Sequence, residues 1–420
     1  MTHRRAPSNW SGNHVYGATK LHHPPTLEAL RELVAAADSI HALGSRHSFT
    51  AIADAQELVA LDAMPAEISV DRSSSSVLVS GGLTYAQLAA HLCQEGLALP
   101  NLASLPHISV AGAVATATHG SGDRLGNLAT AVTGLELVTS TGDLIWCQRG
   151  DDRFGGLVVG LGALGVVTRV KLAVEPYYEM GQRVFEDLEW AALFEHFHSI
   201  MAGGDSVSVF HRFGERAEQV WVKRRAGGDE AGPDTDLFGA RAATGPKHPI
   251  AGADPVNCTQ QLGVAGAWSE RLPHFRSGFT PSSGEEIQSE FSVARADGPA
   301  AVKALLGLAS RIRPLLLVAE IRTVAADELW LSPQHKRPSV GLHFTWKREQ
   351  EAVERVLQDI EMALAPLQPR PHWGKLFTAR ADAIAGRYER MEDFRRLRAE
   401  LDPRGAFCNA WLRSRVLVDP

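Results

Sequence analysis

Cysteine is scarce in this sequence, and the few cysteines present argue against two classes of protein. None of them forms a C-x-x-C pair, and all four are far apart: Cys93, Cys147, Cys258 and Cys408. This spacing supports neither a disulfide framework nor a zinc site, so we expect buried thiols in a reducing compartment. The histidines at 22–23 and 195–198 lack the spacing and partners of metal ligands, and we expect no bound metal.

Long apolar runs and an excess of positive charge are also missing. No apolar run reaches the length that spans a membrane, and the N-terminus lacks the apolar segment of a signal peptide. The chain has 42 basic and 48 acidic residues, a net charge of −6, and its basic clusters are short. We therefore expect a cytoplasmic protein that binds neither membranes nor nucleic acid.

The pattern of the first 175 or so residues predicts an α+β unit. Thr26 is a plausible cap of a helix, and the apolar stretch 39–43 predicts a short strand that stops at Gly44. The remaining elements mix both types: strands near 57–61 and 76–80, a helix at 84–95, a hairpin at 132–148 and a strand at 165–174. Helices packed on a mixed sheet are the expected architecture.

A second α+β unit begins near residue 176, where the composition changes. Its predicted elements are a long surface loop at 226–254, a helix at 300–313, strands at 315–323 and 340–346, and a helix at 349–367. A strand near 374–378 and a helix at 391–401 form a C-terminal part too small to fold alone. We therefore predict domains at 1–176 and 177–372, with 373–420 returning to the first.

Two segments have the composition of a binding site for a large, flat, polar ligand. The loop Gly44-Ser45-Arg46-His47-Ser48 directly follows a strand, so its backbone N–H groups could bind a pyrophosphate. Alone, so short a motif is more typical of a surface loop. The stretch 101–122 combines small residues with several hydroxyls, which need partners if buried. Its alternative interpretation is a close-packed structural turn.

The segment 160–165 matches the dinucleotide fingerprint G-x-G-x-x-G but lacks its context. That fingerprint needs a strand before it and a helix after it. Here an alternating, β-branched stretch follows instead, which predicts a strand. A nicotinamide site is therefore not expected.

Polar residues recur at alternate positions of two apolar strands in the second unit. Glu320 and Arg322 lie on one face of a strand, and His343 and Thr345 repeat the arrangement. Such positions are unfavourable unless the groups face a wet cavity or each other. A structural Glu–Arg ion pair would explain the first strand alone, but together with Lys375 the set indicates a site for a polyol.

These motifs together resemble the vanillyl-alcohol-oxidase type of FAD-binding protein, closest to the alditol and xylitol oxidases. Further blocks of the resemblance follow in order along the chain: 153–156, 161–168, 256–259, 271–276, 279–284, 320–327, 343–346 and 371–375. The resemblance implies an α+β fold with a two-lobed FAD-binding (PCMH-type) domain and an α+β cap domain that contains an antiparallel sheet. It also implies a monomer.

The resemblance further implies FAD bound covalently through His47, although Arg46 stands where many members have glycine. The implied cofactor contacts are Leu43, Gly44, Ser45, Arg46, Ser48, Ser104, Ser109, Gly112, Thr116, Ala117, Thr118, His119, Val167 and His372. Ala103 lies where the family controls access of oxygen to the flavin.

The implied reaction is oxidation of the terminal primary hydroxyl of an alditol to the aldehyde, with molecular oxygen becoming hydrogen peroxide. The implied substrate contacts are Ser104, Glu320, Arg322, Thr345 and Lys375. Either His343 or Lys375 takes the proton, and Glu320 and Arg322 complete the catalytic set. Two rivals stay open: an aldonolactone oxidase or dehydrogenase, and a flavin- or sugar-binding protein without turnover.

Overall fold

The N-terminal unit begins with a small parallel sheet. The structure is a computed structural model that describes residues 8–227, 235–278 and 284–417. Strand Glu57–Val59 lies between strands Lys20–His22 and Ile40–Ala42 and is parallel to both. Helix Leu27–Ala36 connects the outer two, and the Thr26 hydroxyl accepts a hydrogen bond from a backbone N–H of its first turn.

A five-stranded antiparallel sheet forms the second lobe of this unit. Its strands lie in the order Ile68–Asp71, Ser76–Ser80, Val166–Ala173, Val132–Val138 and Leu144–Gln148. Helices Tyr85–Gln94, Val110–Ala115 and Phe154–Val158 accompany it. The first of these helices begins with a capping box between Thr84 and Gln87, as its sequence T-x-x-Q favours. Two lobes of mixed helix and strand confirm the predicted α+β class.

The segment 160–165 lies between helix Phe154–Val158 and strand Val166–Ala173. A strand therefore follows the G-x-G-x-x-G pattern, and a helix precedes it, which is the reverse of the dinucleotide-binding order. Gly162 has a φ of +72°, and a Cβ there would lie 2.2 Å from Cε1 of His41. The glycine is needed for a tight turn that packs closely on the parallel sheet.

A ten-stranded antiparallel sheet, here called the large sheet, dominates the second unit. Its main order is Asp236–Leu237, Ala240–Ala242, Glu179–Glu189, Arg216–Arg225, Ser206–His211, Leu316–Val324, Ser339–Lys347, Glu286–Ala294 and Arg370–Pro371, with Gly266–Ala267 beside Glu179–Glu189. The accompanying helices are Trp190–Glu195, Phe197–Met201, Gly298–Leu306, Ala309–Ile312 and Gln350–Leu364. One apolar core extends through both units.

The C-terminal residues pack against the N-terminal unit. Helices Ala381–Ala385, Met391–Leu401 and Ala410–Arg415 follow the last strand of the large sheet. The Asn409 amide donates to backbone carbonyls of Ala51, Ile52 and Asp54. In addition, the N–H of Ile40 donates to the carbonyl of Ala406.

Three local predictions are wrong. Residues 374–378 form no strand, because Gly374 turns the chain so that its N–H bonds to Nδ1 of His372. The helix expected at 300–313 is two helices, interrupted after Leu306 at a glycine. The loop expected at 226–254 contains two short strands, and its residues 228–234 lie outside the described chain, as does most of block 279–284. In the part that the structure describes, no helix is long and apolar enough to cross a membrane.

Candidate active site

One long cavity lies where the N-terminal unit meets the large sheet. It is lined on one side by the loop after strand Ile40–Ala42 and by the segment around helix Val110–Ala115. On the other side it reaches the polar residues of strands Leu316–Val324 and Ser339–Lys347. The two groups of residues that the sequence singled out therefore face the same space.

The imidazole of His47 is buried at the wall of the cavity. Among the described residues, neither of its buried ring nitrogens has a hydrogen-bond partner. Its ring stacks on Trp10 with centroids 5.5 Å apart, and burial lowers the pKa of His47 to about 4. The imidazole is therefore neutral near pH 7, and its nitrogens are available to a group in the cavity.

Arg46 has a φ of +61°, in the left-handed region that favours glycine. The backbone here therefore suits the glycine that many relatives carry at this position, and arginine is accommodated at some conformational cost. The resemblance noted in the sequence and the observed backbone agree at this residue.

The small-residue segment packs tightly against the histidine loop. A Cβ at Gly44 would lie 2.5 Å from Oγ of Ser109, and one at Gly112 would lie 2.7 Å from the same atom. Ser45 accepts a hydrogen bond from the N–H of Ser109 at 3.0 Å. These contacts fix the wall of the cavity.

The hydroxyls of this segment already have hydrogen-bond partners in the protein, contrary to the sequence interpretation. Thr116 donates to the carbonyl of Gly112 at 3.1 Å and lies 3.0 Å from the hydroxyl of Thr118. Ser109 accepts from the N–H of Ser45. Partners within the segment and in the histidine loop engage these groups, so they carry no argument for a ligand by themselves.

Most residues assigned to the cofactor by resemblance line the cavity. They are Leu43, Gly44, Ser45, Arg46, His47, Ser48, Ser104, Ser109, Gly112, Thr116, Thr118, His119, Val167 and His372. Ala117 is the exception: it is fully buried and does not line the space. Ala103, the residue assigned to oxygen access, does line it.

The polar faces predicted for two neighbouring strands are present and buried. Nη1 of Arg322 lies 3.6 Å from Oε2 of Glu320, and Nδ1 of His343 lies 3.7 Å from the same oxygen. Thr345 and Lys375 also line this end of the cavity. The strand register pairs Glu320 with His343, which is why the two faces coincide.

Glu290, on strand Glu286–Ala294, was missed from the sequence and is the centre of this site. Its Oε2 lies 2.6 Å from Nζ of Lys375 and 2.9 Å from Nη2 of Arg322, and its Oε1 lies 3.0 Å from Nε2 of His119. Burial alone would raise the pKa of Glu290, but these neighbours lower it well below its usual value. We call Glu290, Glu320, Arg322, His343 and Lys375 the charged cluster.

Gln288 and His274 were also missed. The amide nitrogen of Gln288 donates to Glu286, so its oxygen faces Nε2 of His343 at 3.1 Å. Nε2 of His274 lies 3.1 Å from Oε1 of Glu320. The available signal was the alternation of polar residues along 286–290, the same pattern that identified Glu320.

The electrostatics keep the imidazoles neutral and the carboxylates ionised. Burial, with Lys375 nearby, lowers the pKa of His343 and that of His372 well below their usual values. Burial also lowers the pKa of Lys375, although Glu290 opposes this. Burial alone would raise the pKa of Glu320, but Arg322 and His274 lower it well below its usual range. Two carboxylates thus balance two cations within the cluster.

The residues present fit a flavin more readily than a metal. The neutral, unbonded imidazole of His47 lies in a cavity whose opposite end carries hydrogen-bonding groups. FAD has an apolar ring system and many polar atoms, and such ligands need a long cavity of mixed character. Among the described residues, no group of three or more His, Cys, Asp or Glu side chains could hold a metal ion.

Comparison with known proteins relates both units to flavoproteins. The family described as FAD binding domain matches residues 21–148, and the family D-arabinono-1,4-lactone oxidase matches residues 283–415. An alditol oxidase of Streptomyces sp. strain IKD472 is 49% identical over 97% of this chain and 98% of its own. An L-gulono-1,4-lactone dehydrogenase of Mycobacterium tuberculosis is 27% identical, with 98% of each chain covered.

Solved structures agree at the level of the fold. A cholesterol oxidase from B. sterolicum has a TM-score of 0.80 and 16% identity, with 99% of this chain and 97% of its own covered. At this identity the likeness concerns architecture alone. With the extended match to the Streptomyces protein, it shows that the chain belongs to the vanillyl-alcohol-oxidase-type family of FAD-binding flavoproteins, in the branch that contains the alditol oxidases.

Proposed function

We propose that the protein is an FAD-dependent alditol oxidase. It oxidises the terminal primary hydroxyl of a polyol such as xylitol or sorbitol to the aldehyde, and oxygen takes up the electrons as hydrogen peroxide. The observation that carries this proposal is the cavity that joins the unbonded imidazole of His47 to the charged cluster. The 49% identical relative named alditol oxidase supports the choice of substrate.

His47 would hold the cofactor covalently, through a ring nitrogen. Its neutral imidazole has the free lone pair that such a bond needs. The remaining cofactor contacts are the lining residues of the histidine loop and of the segment 104–119, together with Val167 and His372. When bound, FAD supplies the acceptor for the hydride that leaves the carbinol carbon.

His343 is the proton acceptor in this scheme. Because Nε2 faces the oxygen of Gln288, that nitrogen carries the proton and Nδ1 keeps its lone pair. A substrate hydroxyl beside Nδ1 and Oε2 of Glu320 can give its proton to the imidazole as the hydride departs. Glu320, by its position, stabilises the imidazolium that forms.

Lys375 and Arg322 orient the substrate and balance negative charge. Both are held by Glu290, so their cationic groups are fixed before the substrate arrives. Ser104, which lies 3.5 Å from Nη1 of Arg322, and Thr345 supply further contacts for the hydroxyls of the chain. A row of such groups suits an open-chain polyol.

Ala103 lies beside this end of the cavity and leaves a route for oxygen. Ala103→Leu should slow reoxidation of the reduced enzyme by dissolved oxygen in a stopped-flow experiment. Anaerobic reduction by xylitol should stay close to that of the wild type. Equal reoxidation rates in the two proteins would remove Ala103 from this role.

The proposed domain limits separate the part of the chain that holds the cofactor from the part that carries the charged cluster. Residues 1–176 and 373–420 form the FAD-binding domain, and residues 177–372 form the cap that carries the charged cluster. The protein acts as a monomer, which sedimentation of the purified holoenzyme tests directly.

Two measurements test the proposed function. Protein supplied with FAD and precipitated in acid should stay yellow and fluorescent, whereas His47→Ala should release its flavin to the supernatant. Under anaerobic conditions, xylitol or sorbitol should bleach the flavin absorbance of the wild type. Bleaching by gulono- or galactono-lactone alone would instead favour the lactone oxidase alternative, for which the match at 283–415 gives some support. Bleaching by none of them would favour a binding protein without turnover.

A further inference from the structure

A buried lysine behind the active site has all its hydrogen-bond donors in use. Lys223 lies on strand Arg216–Arg225 and is 1% exposed. Its ammonium group donates to the carbonyl of Leu272, to the carbonyl of Pro273 at 3.1 Å and to Nδ1 of His274 at 3.1 Å. An ammonium has three N–H donors, so this set of acceptors is complete.

The contacts with Lys223 and Glu320 together fix which nitrogen of His274 carries the proton. Nδ1 accepts from the ammonium, so in the neutral ring the proton lies on Nε2. That nitrogen is 3.1 Å from Oε1 of Glu320 and donates to it. The ring packs edge-on against both Phe210 and Trp221 at centroid distances of 5.4 Å, and these two rings also contact each other. It can therefore neither rotate away nor flip without repacking.

We propose that Lys223 and His274 are positioning residues for the substrate. Lys223 keeps His274 in the Nε2–H form, and this N–H holds Oε1 of Glu320 so that Oε2 faces the polyol. The inference rests on the proposed function, because it assigns the free oxygen of Glu320 to a substrate hydroxyl. His274 lies in block 271–276 of the resemblance but was not assigned to the site, and Lys223 neither belongs to such a block nor lines the cavity.

The charges around Lys223 make this device sensitive to pH. Burial lowers the pKa of Lys223 to about 7, and Glu320 partly opposes this. Besides His274, the thiol of Cys258 also acts on Lys223, and burial raises the pKa of this thiol to about 12. Burial lowers the pKa of His274 to about 4, with Glu320 and Arg322 acting in opposite directions. Lysine is therefore the group that titrates near neutrality.

The titration of Lys223 sets the direction of the expected pH effect on substrate binding. Below about pH 7 the ammonium of Lys223 donates a hydrogen bond to Nδ1 of His274, and Nε2–H of His274 donates to Glu320. As the pH rises through this value, Lys223 loses one of its three N–H donors, so Nδ1 of His274 competes with the carbonyls of Leu272 and Pro273 for the two that remain. The ring of His274 is then held less firmly, and so is Glu320. The KM for xylitol should therefore rise above about pH 7, with a smaller change in kcat.

The test uses the FAD-loaded enzyme and four variants. Lys223→Met and His274→Leu should raise the xylitol KM at pH 6 about tenfold or more, the effect of losing a hydrogen bond to a charged group. His274→Gln keeps an amide donor for Glu320, so its xylitol KM at pH 6 should stay near that of the wild type. In this variant the KM should no longer rise above pH 7. His211→Gln is the matched control, because His211 is buried on a neighbouring strand outside the cavity.

A second readout is independent of turnover. In holoenzyme labelled with ¹⁵N-histidine, the nitrogen shifts of His274, assigned by their loss in His274→Gln, should report the Nε2–H form at pH 6. An Nδ1–H form at pH 6 would overturn the inference, as would an unchanged xylitol KM in both Lys223→Met and His274→Leu. If the proposed function is wrong, the result is different. No polyol would then bleach the flavin, but the nitrogen shifts of His274 would still report its tautomer.

Discussion

Replacement of Glu290 by glutamine tests the electrostatic arrangement of the whole site. Glu290→Gln keeps the size of the side chain but leaves Arg322 and Lys375 without their shared counter-ion. The side chain of Glu290 is 0% exposed and that of Arg322 is 5% exposed, so water cannot replace the lost charge. Removing one partner of a buried ion pair costs about 3–5 kcal/mol.

That loss converts into a measurable shift in thermal stability. For a chain of this length, unfolding entropies of about 2.1 cal/mol/K per residue turn it into a fall of about 3–6 °C in the unfolding midpoint. Scanning the holoenzyme at neutral pH, by circular dichroism and flavin fluorescence together, measures the shift. Since the neighbours hold the pKa of Glu290 well below its usual value, its contribution is present above the ordinary carboxyl pKa. The difference between the two proteins should therefore shrink as the pH falls below about 4.5.

Glu286→Gln is the matched control for this experiment. Glu286 lies on the same strand and lines the same cavity, but burial raises its pKa, and its hydrogen bond comes from Gln288. A neutral amide is no worse than a carboxylate there, so the midpoint should be unchanged or higher. Equal midpoints for Glu290→Gln and Glu286→Gln would show that the cations do not depend on Glu290. Glu290→Gln should also lower the pKa of Lys375, because the carboxylate of Glu290 raises it.

Substitutions at three further positions probe separate parts of the structure. Lys375→Met should lower turnover of xylitol by about 10²–10³-fold with the flavin still attached, since a fixed cation is lost; near-normal turnover would contradict its role. Gly162→Ala should destabilise the protein by about 1–3 kcal/mol, because φ is +72° and the Cβ would meet the ring of His41; an unchanged unfolding midpoint would be inconsistent with the packing. Thr84→Ala should remove the capping box and about 1 kcal/mol of stability, whereas Thr84→Ser should retain both.

Three of the five residues of the charged cluster could be predicted because strand periodicity is a local property. Polar residues two apart on an apolar strand must share a face, so Glu320 with Arg322 and His343 with Thr345 followed from the sequence. Glu290 obeys the same rule, in a strand where Glu286, Gln288 and Glu290 alternate with other residues. That alternation is equally typical of a strand with one exposed face. Only its position inside the large sheet shows that this face is buried.

Other predictions failed where a local pattern was overridden. The hydroxyls of 104–118 suggested an absent ligand, but they already have protein partners: Thr116 and Thr118 within the segment, Ser109 in Ser45 and Ser104 in Arg322. The stretch after Pro371 looked like a strand, yet Gly374 turns the chain and brings Lys375 to Glu290. In each case a contact with a neighbouring segment or a single glycine decided the conformation.

The sequence by itself determined the family, the α+β class, the histidine loop and the polar strand faces, because these depend on motifs and on the period of a strand. The tertiary structure alone decided which buried charges meet. Glu290, Lys375 and His119 are far apart along the chain, and only tertiary packing brings them within hydrogen-bonding distance. Lys223 and Glu320 are also distant in sequence, and His274 lies between them and contacts both. Because a buried charge needs a partner, those pairings also set which groups are charged and which imidazoles stay neutral.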